Sequence, residues 1–266
     1  IRYPIDRANR INSMIISIAQ TQIFVLALTR ILAILVQVPI FGSEVIPNQV
    51  KVGLGVILAM IVIPWNPLPA ESMYIPWLAF AGLVMRELII GFLAGFAATL
   101  TFGAFQITGK LIDMSSGFGA GQVFNPAMSG AGGTLDQFFY LVVMLYFMLT
   151  NGHHLFLLRL RDTFVLLPMN QPLPEMNPEA LLQLASGLII AGVQMAIPVV
   201  GALFLTDLTL GLLAKVSPQI NVFFLGLPIK VWVGIYALSL LFGLLVPSLD
   251  RAFKNLGPRM LQIMGA

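Results

Sequence analysis

Residues 77–105 read WLAFAGLVMRELIIGFLAGFAATLTFGAF, an apolar run broken only by the adjacent Arg86 and Glu87. A run this long exceeds the ~20 residues that cross a ~30 Å hydrocarbon layer, so it predicts a membrane helix. The two charges inside it predict packing against protein, because a lone charge at mid-bilayer costs roughly 2.5–3.5 kcal/mol on insertion scales. Gly91, Gly95, Thr99 and Gly103 recur every four residues in the same run. They make one smooth strip on which a second helix can lie close.

The whole chain shares this character. Of 266 residues, 58% are hydrophobic and 9% charged, against about a quarter charged in a soluble domain. Such a chain cannot hide its apolar surface inside one water-soluble globule. Cysteine is absent, which excludes disulfides, thiolate catalysis and cysteine-ligated metals. The formal charge of +3 is scattered, with no basic run, so nucleic-acid binding has no electrostatic footprint.

Six apolar segments are expected, at about 14–41, 52–64, 77–105, 137–158, 181–213 and 222–247. The first, from Met14 to Phe41, is too long for the core of a cleavable signal peptide and predicts an uncleaved helix. With Ile1 rather than Met at the start, the extreme N-terminus is expected to be trimmed or missing. The second is half a span, closed by Pro64, as expected of a broken or re-entrant helix held within an assembly. The polar stretch 159–180, with four prolines, is expected to be a connecting loop. It divides residues 1–158 from a C-terminal helical hairpin over 181–266, whose reversal falls at KVSPQIN (215–221). Lys and Arg occur in almost every loop, so the positive-inside rule assigns no orientation.

Arg30, Arg86, Glu87, Asp113 and Asp207 lie within or beside apolar helices. Each wants a partner or a watered path. Two readings fit: buried pairs that orient helices, or the lining of a proton or ion path. Arg86 and Glu87, one residue apart, are expected on different helix faces and each with a separate partner.

Catalytic and cofactor patterns fail one by one. GFGAG at 117–121 lacks the third glycine of the dinucleotide fingerprint and has no strand before it. No nucleotide-binding or HExxH motif occurs, and His153 and His154 alone cannot close a zinc site. Catalytic, cofactor and metal residues are therefore expected to be none. Ser129 in AMSG, with His153 or His154 beyond it, admits an intramembrane serine protease, but Ala127 stands where that motif needs glycine. A secondary transporter or ion channel would also show broken helices and buried charges.

Residues 115–133, SSGFGAGQVFNPAMSGAGG, hold six glycines and no charge. Together GKLIDMSSGFGAGQVFNP (109–126), PIFGSEVIPNQVKVGL (39–54), TNGHHLFLLRLRDTFVLLP (150–168) and SPQINVFFLGLPIKVWVG (217–234) resemble the FliR/SctT family of type III protein export gate subunits. They do so in order and in register. LIIGFLAGF (88–96) resembles the flagellar members.

The resemblance implies an all-α membrane protein of long, kinked and broken helices packed as hairpins. Residues 1–158 would be FliP-like, and 181–266 a FliQ-like hairpin with a tail. It implies FliP-like and FliQ-like partner subunits, FlhB-like and FlhA-like export proteins, unfolded protein substrates in transit, and the bacterial inner membrane at the flagellar basal body. It also implies that the glycine-rich loop plugs the export channel. Gly117, Phe118, Gly119, Gly121, Val123, Phe124, Asn125, Pro126 and Met128 are then the gate residues. Phe118, Val123, Phe124 and Met128 can close a lumen by dewetting while the glycines let the backbone swing aside. Asn125-Pro126 suits a fixed turn. A passive connector between helices is the plainer reading.

Overall fold

A computed structural model describes residues 5–62, 75–117, 133–169, 171, 178–219 and 221–263. Among them every regular element is a helix: α1 (Ile5–Gln37), α2 (Asn48–Val62), α3 (Trp77–Ser116), α4 (Thr134–Leu149), α5 (Gly152–Leu166), α6 (Pro178–Val216), α7 (Val222–Lys254) and α8 (Leu256–Ile263). Four stretches are long and apolar enough to cross a membrane: Gln20–Gln37 of α1, α3, α6, and Phe224–Lys254 of α7. α2, with 15 residues, is about 22 Å long and falls short of a ~30 Å core. The chain is an all-α membrane protein.

Three boundaries differ from the sequence reading, each for a physical reason. α3 runs past Phe105 to Ser116, because QITGKLIDMSS loses hydropathy but contains no proline and keeps Ile107, Leu111 and Ile112 at helical spacing. It stops where Gly117 adopts φ +79°, the left-handed conformation that ends helices. The single segment expected at 137–158 is two helices, α4 and α5, bent by 74°. Asn151 makes the break with φ 56°, and Thr150 caps α4 by donating its N–H to Tyr146 O at 3.0 Å. The stretch expected as a loop over 159–180 is helical as far as Leu166; LRLRDTFVL keeps one apolar face despite its charges.

The helices form two compact units that interleave in sequence. One takes residues 1–99, 154–180 and 257–266; the other takes 100–153 and 181–256. In the first, α1 and the opening half of α3 run parallel. The Gln22 side-chain amide pairs with the Ile75 backbone through bonds of 2.9 and 3.2 Å, which fixes the start of α3. Further along, Gln37 Nε2 donates to Phe92 O and Thr99 Oγ1 donates to Gln37 O.

The second unit is built on aromatic packing. The rings of Phe102, Phe147 and Phe253 form a triangle with centroids 4.9–5.3 Å apart, the tilted and edge-on geometry that aromatic pairs favour. Thr108 Oγ1 donates to Gly192 O at 2.9 Å and ties α3 to α6. α6 and α7 form an antiparallel hairpin, with Gly226 against Leu210, Lys230 against Asp207 and Gly234 against Leu203.

Candidate functional site

Residues 118–132 carry most of the gate expectation, and Phe118, Gly119, Gly121, Val123, Phe124, Asn125, Pro126 and Met128 lie outside the described residues. Ser129 does too. What the structure does give is the base from which this segment leaves and to which it returns. Gly133 precedes α4 and offers no side chain to cap it. The cap comes from α3 instead: the buried Asp113 Oδ1 accepts the Leu135 N–H at 2.9 Å. A carboxylate there satisfies an orphan amide and complements the positive end of the helix dipole.

Two glycines permit this contact. A Cβ on Gly133 would overlap the Asp113 carboxylate, and one on Gly109 would lie 2.9 Å from Phe139 Cβ and 3.1 Å from Asp136 Cα. The last two turns of α3 and the first two of α4 are thus pressed together. Gly117 then turns the chain out of α3 at the same end. The helices on either side of the glycine-rich segment are thus tied together through Asp113 and Leu135.

The charges expected in apolar helices fall into three environments. Arg30, Glu87 and Arg86 form one buried cluster. Arg30 Nε donates to Glu87 Oε2 at 2.5 Å and Arg86 Nη1 to Glu87 Oε1 at 2.6 Å. The expectation that Arg86 and Glu87 do not pair is therefore wrong. Neighbours on a helix start about 100° apart, but the arginine stem is long enough to fold back to the adjacent carboxylate. Other donors of the two arginines go to carbonyls in and just past the last turn of α5, which has no basic residue in that turn. Arg30 donates to Thr163 O and Leu167 O, and Arg86 to Pro168 O. Two arginines from other helices thus bring positive charge to the negative end of α5 and complement its dipole. The Arg30 guanidinium also lies 4.3 Å from the Phe164 ring centroid.

Asp113 is the cap described above. Asp207 is not buried within the chain: it is 48% exposed and pairs with Lys230 at 2.5 Å. Counting outward from the hairpin turn could have found that partner, since Asp207 lies nine residues before Val216 and Lys230 eight after Val222.

The packing strip divides. A Cβ on Gly91 would sit 2.7 Å from both Ala33 Cβ and Arg30 O, and one on Gly95 would sit 2.9 Å from Gln37 Nε2 and 3.1 Å from Ile34 O. Thr99 bonds to Gln37 O at 2.8 Å. A Cβ on Gly103 would meet nothing within 4 Å among the described residues. Gly109 and Gly133 were missed by the sequence reading. Only the rule that a mid-helix or capping glycine marks a close approach could have pointed to them. Among the described residues no three of His, Asp and Glu are placed to hold a metal ion.

The family model described as bacterial export proteins, family 1, matches residues 21–256. The chain is similar to the flagellar biosynthetic protein FliR of Pectobacterium carotovorum subsp. carotovorum, 32% identical over 227 residues that cover 85% of this chain and 86% of that protein. It is 32% identical to the FliR of Bacillus subtilis (strain 168) over 212 residues, 78% of this chain and 81% of the relative. It is 29% identical to the FliR of Escherichia coli (strain K12) over 233 residues, 86% and 87% of the two chains. The match takes in the buried cluster, the Asp113 cap and the hairpin alike, and the chain belongs to the bacterial export proteins, family 1.

Proposed function

We propose that this chain is a non-enzymatic subunit of the flagellar type III protein export gate, needed for flagellum assembly and seated in the bacterial inner membrane at the flagellar basal body. The observation that carries the reading is the family match over residues 21–256, bounds that include the glycine-rich segment. The subunit forms part of a protein-conducting channel with FliP-like and FliQ-like membrane subunits and works beside FlhB-like and FlhA-like export proteins. Residues 1–158 take the FliP-like place and 181–266 the FliQ-like place.

In this reading the segment around 115–133 is the plug. Its physical fit is threefold. It has no charge to hold water open, its apolar side chains can dewet a lumen, and its base is pinned by Asp113 to Leu135. A loop anchored at one point can swing aside for a passing unfolded chain and return to the same place. Energy for export is supplied by other components.

The test is the native mass of the gently solubilised protein from its own membrane. A large hetero-oligomer holding several copies of two smaller membrane proteins is the expected result. A monomer or small homo-oligomer would overturn the reading in favour of a stand-alone transporter.

A further inference from the structure

The last turns of α3 are held tightly on two sides and loosely on a third. Toward α6 there is no slack: a Cβ on Gly192 would lie 2.4 Å from Ala104 O, and Thr108 Oγ1 bonds to Gly192 O at 2.9 Å. Toward α4 there is none either. A Cβ on Gly109 would lie 2.9 Å from Phe139 Cβ, and Asp113 holds the Leu135 amide. Toward α7 the spacing is that of ordinary contact. A Cβ on Gly234 would lie 3.6 Å from Ser116 Cβ, and one on Gly117 would lie 3.5 Å from Leu227 Cδ2.

α3 is therefore fixed at Thr108, and Ser116 lies eight residues beyond that tie, about 12 Å along the axis. The support under this free end is itself interrupted. Pro228 lies inside α7, between Leu227 and Gly234, and a proline gives the helix no N–H at its position.

We propose that the end of α3 and the start of α4 form one rigid piece that shifts on α7 when the protein works, with Leu227 and Gly234 as its seat. The tight contacts define the piece, and the loose ones define where it moves. Leu227 and Gly234 are then positioning residues, which touch the piece and set where it rests. The inference rests on the reading of the chain as an export subunit. It needs no particular role for residues 118–132.

The seat can be locked covalently. The 3.6 Å between Ser116 Cβ and a Cβ at Gly234 falls within the about 3.5–4.5 Å that a disulfide spans, and the chain holds no cysteine to compete. The experiment combines Ser116→Cys with Gly234→Cys in the full chain in its native membrane, with each single substitution as control. Copper phenanthroline takes two electrons from the thiols, with release of two protons, and dithiothreitol reverses the step. Thiol blocking reads the closed fraction, native mass reads assembly, and flagellar protein released to the medium reads export.

The expected result is a disulfide in most molecules and a complex of unchanged mass. Export should fall about tenfold or more, as when one of two arrangements is abolished, and return on reduction. Neither single variant should respond to the oxidant. Normal export through closed disulfides would overturn the inference and leave the export reading standing. A pair that does not close, or a loss that reduction does not restore, would also count against it. Where the cysteine pair fails to accumulate, Gly234→Ala and Gly234→Ile are compared at matched abundance. The alanine fits the seat and should export nearly as the wild type does, and the isoleucine far less; equal export would overturn the inference. A wild-type chain without which export proceeds normally would sink the export reading and this inference together.

Discussion

The Arg30 guanidinium on α1 and the Glu87 carboxylate on α3 meet at 2.5 Å with neither side chain reaching solvent. Arg86 closes the other side of the carboxylate, and the outer donors of both arginines end on carbonyls at the close of α5. One acidic residue therefore holds together three elements that are far apart in sequence.

Removing that acid should be costly. Glu87→Ala leaves two guanidinium groups buried without their counter-ion, and breaking a buried pair from one side costs about 3–5 kcal/mol. The expected outcome is loss of folded protein in detergent, read as a lower Tm and lower membrane abundance. Arg30→Met should also destabilise. The double variant Arg30→Met/Glu87→Leu should be less harmful than the two single losses added together. Strict additivity would show that the pair is not coupled.

The strip on α3 should grade by position. Gly91→Leu drives a side chain into backbone and Cβ atoms of α1, and Gly95→Leu meets Gln37 and Ile34 O. Overpacking of this kind costs about 1–3 kcal/mol or more. A Cβ at Gly103 meets nothing within 4 Å among the described residues, so Gly103→Leu should disturb monomer stability far less. Thermal unfolding of the three variants in one detergent checks the order. A Gly103 variant as damaged as the Gly91 one would contradict it.

At the loop base, Asp113→Ala removes the cap of α4, a change worth about 1 kcal/mol. Gly133→Ala places a methyl group on the Asp113 carboxylate. Both variants should loosen the anchor while the chain still accumulates. The measurement is ion permeability of membranes holding assembled complex. Both should raise it above the wild-type level, and Asp113→Ala should do so without losing the complex.

The break between α4 and α5 depends on a left-handed residue. Asn151→Gly should be tolerated, because φ 56° suits glycine. Asn151→Val should destabilise by about 1–2 kcal/mol, the cost of forcing a side chain with a branched Cβ into that conformation. Unfolding midpoints of the two variants give the comparison.

The helical membrane character, the half-length α2 and the antiparallel hairpin were legible from hydropathy, proline and turn residues. The ends of α3 and α5 were not, because hydropathy follows apolar content and both helices continue into polar sequence. The bend at Asn151 was hidden for the opposite reason: apolar residues continue on both sides of it. Arg30, Arg86 and Glu87 could be singled out as buried charges, but their common meeting point could not. It depends on how α1, α3 and α5 pack, and on an arginine stem folding back along its own helix. The Asp113 cap is a contact across 22 residues, which no local pattern records. The gate role of Phe118, Val123, Phe124 and Met128 came from family resemblance, and those residues lie outside the described structure.

Removal of Gly117–Phe124 tests the plug most directly. The readout is the permeability of cells or vesicles to ions and small solutes at normal levels of assembled complex. The plug reading predicts a leak through complexes that still assemble. Unchanged permeability in an intact complex would contradict it and leave the segment a passive connector between α3 and α4.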